Sequence, residues 1–96
     1  MGSTADIPKY EEMIEAISRF VRDVDGAGSE MGSAGNECVE NCNNDSASTK
    51  SNEKLKECIS RLQESTEIAG QIQSALQEEL ERLYELRRIE SEIDSD

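Results

Sequence analysis

Ninety-six residues suffice for one domain, yet 34% apolar residues, with one Phe, two Tyr and no Trp, are too few for a thick globular core. The net charge is −12, from 22 acidic against 10 basic residues, so phosphate backbones and anionic membrane surfaces would repel the chain and no nucleic-acid binding is expected. No apolar run reaches the ~18 residues of a membrane span, and no basic stretch followed by an apolar core marks a cleavable signal.

Such a chain either stays disordered or gathers its few apolar residues onto helical stripes, and the spacing decides for stripes. Pro8 suits the first turn of a helix beginning near Ile7. From there Tyr10, Ile17, Val24, Met31 and Cys38 recur every seven residues. Met13, Phe20, Ala27 and Ala34 form a second row, and Ile14, Val21, Gly28, Gly35 and Cys42 a third. The three rows make one stripe on a helix over about 7–42.

Gly26, Gly28, Gly32 and Gly35 fall inside this helix, where each costs ~1 kcal/mol relative to alanine. Two accounts fit them: close approach of a second helix, or a break in the first helix between Asp25 and Gly35.

Residues 43–52, Asn43 to Asn52, are polar and turn-rich and are expected to form the loop. Ser48 or Ser51 would cap the second helix, with Glu53 at the positive end of its dipole. That helix is expected over about 51–92. Leu55, Leu62, Ala69, Leu76 and Leu83 form its main row. Cys58, Ile72, Leu86 and Ile93 form another, interrupted by Ser65 and Glu79. Ile59, Thr66, Gln73, Leu80 and Arg87 make a weaker third. The acids of Glu90 to Asp96 oppose the dipole at the helix end, which predicts a frayed tail.

Two long helices joined by a short connection form an antiparallel hairpin. A turn centred near Ser48 pairs positions whose numbers sum to about 96 or 97, so Phe20 and Val21 face Leu76, and Cys38 faces Cys58. The predicted fold is therefore all-α, a two-helix hairpin. Its apolar stripe is about three positions wide on the first helix, one more than a pair can cover. Packing with a second hairpin into a four-helix bundle would cover the remainder. That partner is either another copy or a different chain, with Phe20, Val24, Ile72, Leu76 and Leu80 near the centre of the interface.

The chain has no histidine, which removes the commonest general base and metal ligand. No catalytic site, cofactor or metal is expected, and the protein is read as a binding module and not an enzyme. Cys38, Cys42 and Cys58 are either small buried side chains or a disulfide staple from Cys58 to Cys38 or Cys42.

Equal helical halves, a central turn and an acidic balance in a chain near one hundred residues resemble the WXG-type early-secreted-antigen superfamily and the small accessory proteins of LXG toxins. The resemblance is one of architecture: the turn reads Asn43-Asn44-Asp45-Ser46 where Trp-x-Gly would stand. It implies a hairpin that dimerises into a four-helix bundle and serves as a partner or adaptor in type VII secretion. Synthesis in the cytoplasm is expected, with any export independent of a cleavable signal. A structural coiled-coil subunit that dimerises or tethers within a larger assembly is the alternative.

Overall fold

The computed structural model describes residues 3–41 and 46–94. A 3₁₀ turn, Thr4–Asp6, leads directly into α1, Ile7–Asn41, and α2 runs over Ser46–Asp94. The Ser3 amide donates to the Asp6 carboxylate at 3.2 Å, and the Asp6 amide donates back to the Ser3 carbonyl at 2.9 Å. These reciprocal bonds occupy amides that the start of a helix leaves unpaired. Among the described residues there is no strand.

The loop expected at 43–52 is corrected in part. Positions 43–45 lie outside the described residues, and Ser46–Asn52 is helix. Serine and threonine are only modest helix formers, but this stretch contains no glycine or proline to stop a helix. At its other end α2 is helical through Asp94. Continuous helix over Asp25–Gly35 removes the broken-helix account of the glycines.

The contacts divide the protein into two units: Met1–Arg19 with Ala69–Asp96, and Phe20–Ile68. In each, a stretch of α1 pairs antiparallel with a stretch of α2. In the first unit Thr4 reaches Glu90 at 3.5 Å, and Ser18 meets Gln73 at 2.6 Å. In the second, Gly32 lies against Ile59, and Gly35 against Asn52 and Leu55. Pairs such as Ser18 with Gln73 and Gly32 with Ile59 sum to about 91, which replaces the expected 96 or 97. The reason is the early start of α2, which moves the turn of the chain toward lower numbers by roughly half that difference.

The seam is two positions wide on each helix. On α1 it follows Ile7, Tyr10, Ile14, Ile17, Val21, Val24, Gly28, Met31 and Gly35, all buried or half-buried. On α2 it follows two rows. Ser48, Leu55, Leu62, Ala69, Leu76 and Leu83 make one, and Asn52, Ile59, Thr66, Gln73 and Leu80 the other. Alternating steps of three and four are the spacing of an antiparallel coiled-coil pair.

The row that is weaker in hydrophobicity, with Thr66 and Gln73, therefore faces α1, while Cys58, Ile72 and Ile93 do not. Gln73 tolerates its place because its amide donates to the Ile14 carbonyl at 3.3 Å as well as to the Ser18 hydroxyl. A half-buried amide with two partners avoids the cost of an unsatisfied one.

Candidate interaction surface

Two paired helices enclose little. Among the described residues the buried apolar side chains are Ile7, Ala69 and Leu83, all in the first unit. What remains exposed is more informative. In the first unit Met13 is 49% exposed, Ile72 48% and Ile93 68%. These residues occupy the heptad rows that border the seam on one side, together with half-buried Leu86. Ile89, on the outer edge of the same flank, is 41% exposed.

The flank carries charge that is largely paired along the helix. Lys9 sits 3.7 Å from Asp6, and Arg82 lies 2.6 Å from Glu79. Arg88 joins Glu85 and, at 2.7 Å, Glu92. The Arg88 guanidinium holds the Glu85 carboxyl below the ordinary carboxylate range, first through their hydrogen bond and then through charge. These pairs are solvent-exposed and one turn apart, so they add little to stability. Their effect is to offset part of the acidic charge beside the apolar residues.

On the opposite border of the seam, Tyr84 meets Glu11 and Arg87. The Arg87 guanidinium lies 5.4 Å from the centre of the Tyr84 ring. The phenol is pushed above its usual value, mainly by desolvation and then by its hydrogen bond to the Glu11 carboxylate.

In the second unit Phe20 and Ile68 are the large exposed apolar side chains. Two open hollows run along α2 in this unit. One of about 590 Å³ is lined by Met31, Leu55 and Cys58, with Lys50, Ser51 and Lys54 at its rim. A second, of about 420 Å³, shares Lys54 and Cys58 with it and continues past Glu57 to Arg61, Leu62 and Ser65.

The five residues expected at the interface divide by burial. Val24, Leu76 and Leu80 are half-buried in the seam of the chain itself, whereas Phe20 and Ile72 are exposed. Met13 and Ile93 lie in the same rows as Phe20 and Ile72. Row membership was the available signal, and which rows face outward depends on the register.

Cys38 and Cys58 are both exposed, so the buried-core reading fails for these two, and Cys58 is a free thiol. In the observed register Cys38 is about five positions out of step with Cys58. Cys42 lies outside the described residues. No group of three or more His, Cys, Asp or Glu among the described residues has the arrangement of a metal site. No described helix is long and apolar enough to cross a membrane. No protein family, curated protein or solved structure matches this chain.

Proposed function

We propose that this protein is a binding module whose exposed apolar flank packs against a second helical hairpin, completing a four-helix bundle. The observation that carries the reading is the flank of Met13, Ile72 and Ile93, left open beside a seam that buries few large side chains. Apolar strips of this kind mark interaction surfaces. The exposed area supports it too: 7068 Å², against about 5,500 Å² expected for a compact monomer of this mass. The difference exceeds the roughly 800 Å² that each partner contributes to a standard interface.

The secretion reading rests on architectural resemblance. It makes the protein a small type VII secretion-associated partner or adaptor, bound through its helical faces. Unbroken heptad spacing along α2 favours a second reading, a structural coiled-coil subunit within a larger assembly. A secretion ATPase or toxin encoded beside this chain supports the first reading and its absence the second.

Ile72→Asp tests the binding surface. The residue is half exposed, so the variant should keep its helical circular dichroism and lose its partner in light scattering or pull-down. A wild-type chain that stays monomeric at tens of micromolar and captures no helical partner would overturn the proposal.

A further inference from the structure

The last described turns of α2 carry an unusual combination. Ile89 and Ile93 are 41% and 68% exposed, and they stand one turn apart on the same face, about 6 Å along the axis. Around them lie Glu90, Glu92 and Asp94, all exposed. Arg88 pairs with Glu92 at 2.7 Å, and Glu90 accepts a 3.5 Å hydrogen bond from Thr4. The segment is acidic with an apolar stripe.

The joined hollows of the second unit have the complementary character. Met31, Leu55 and Leu62 give an apolar floor, and Lys50, Lys54 and Arg61 line the rim. Glu57 lies 3.4 Å from Lys54 and 3.1 Å from Arg61, which neutralises one of the three positive charges and leaves the rim basic. In a chain of net charge −12 this local excess of positive charge is the exception. From Lys50 to Arg61 the hollow runs roughly 16 Å along the helix, longer than the Ile89–Ile93 stripe needs.

We propose that the Ile89–Asp94 segment of one copy docks in the Lys50–Arg61 hollow of a second copy. Ile89 and Ile93 lie on the Met31–Leu55–Leu62 floor, and Glu90 and Asp94 meet the lysine rim. The two surfaces differ, so the contact is heterologous. Each copy retains an unused hollow or segment, and association continues into open chains or rings and does not stop at a dimer. It shares Ile93 with the lateral packing of hairpins proposed above and differs from it in occupying the Lys50–Arg61 hollow, so the charge-swapped pair described below distinguishes the two.

Sedimentation of the full chain at low salt should show a mean mass that climbs with concentration past two chains. Salt near 0.5 M, which screens rim charges, should reverse the climb. Ile93→Asp should weaken the association at least about tenfold, and it leaves the fold intact because the side chain is exposed. A charge-swapped pair gives the decisive readout. One variant carries Lys50→Glu and Lys54→Glu, the other Glu90→Lys and Asp94→Lys. Each alone should fail to grow, because its segment and hollow then share a sign, while an equimolar mixture should grow as the wild type does. A mass independent of concentration, a two-chain particle unchanged by Ile93→Asp, or a mixture no larger than its components would each overturn the proposal.

Discussion

The Gln73 side-chain amide donates to the Ser18 hydroxyl at 2.6 Å, a polar bridge between α1 and α2 inside an otherwise mostly apolar seam. Both helices repeat every seven residues, so apolar rows alone would accept registers displaced by a heptad. This pair accepts only one, because a slip would remove the amide from both Ser18 and the Ile14 carbonyl.

Gln73→Ala should therefore cost about 0.5–1.5 kcal/mol in urea unfolding, the usual net worth of a hydrogen bond with its partner left behind. The double variant with Ser18→Ala should cost less than the two single losses combined. Strict additivity in that cycle would show that the two residues do not act together.

The glycines of α1 should separate into two kinds. A Cβ on Gly26 would meet nothing within 4 Å, so Gly26→Ala should gain up to ~1 kcal/mol from helix propensity. A Cβ on Gly35 would stand 2.6 Å from the Asn52 side-chain oxygen and 3.1 Å from a Leu55 methyl. Asn52 can swing aside, but Leu55 must give as well, and overpacking typically costs ~1–3 kcal/mol. Gly35→Ala should thus be at least about 1 kcal/mol less stable than Gly26→Ala. Equal melting temperatures for the two variants would contradict the close approach.

Full burial of Phe20 in the seam would make Phe20→Ala cost ~3–5 kcal/mol. At 45% exposure the loss in the isolated chain should stay under ~2 kcal/mol, since much of the ring is wet before the change. The larger effect should fall on association with a hairpin partner, measured by titration. A full core-sized loss in a dilute monomer would place the ring in the seam after all.

Tyr84 gives the pH dependence. Desolvation and the Glu11 carboxylate raise its phenol above the ordinary value of 10.0, so the folded state holds the proton more tightly than the unfolded one. That stabilising contribution is complete below pH ~10 and is lost as pH rises through the folded value. Ultraviolet titration should show this tyrosinate forming late, and Glu11→Gln should bring its midpoint down. An unchanged midpoint in that variant would remove the carboxylate as a cause.

The seven-residue spacing made both helices and most of the seam legible. The length of α2 was not, and the reason lies in Ser48 and Asn52. Both continue the heptad rows of α2, Ser48 buried and Asn52 half-buried, but neither is apolar, so hydrophobicity marks them as loop. Asn52 fits because α1 offers glycine opposite it: Gly35 leaves it room. Small against small is a packing fact that only the pairing reveals. The exposed flank was legible as a set of rows, but the choice of outward-facing row depends on the register, which follows from where α2 begins.

That same exchange of bulk for small polar side chains has a kinetic consequence. Among the described residues the first unit buries Ile7, Ala69 and Leu83, and the second Gly35 and Ser48. Opening the helices around Gly35 and Ser48 exposes little apolar surface and so costs little free energy. Amide hydrogens of Gly32–Val39 and Asn52–Ile59 should exchange with solvent deuterons well before those of Ile7–Ile17 and Gln73–Leu83, in the manner of a protein that opens by sub-regions and not all at once. Uniform protection along both helices would mean that the glycine-lined stretch holds as firmly as the leucine-lined one.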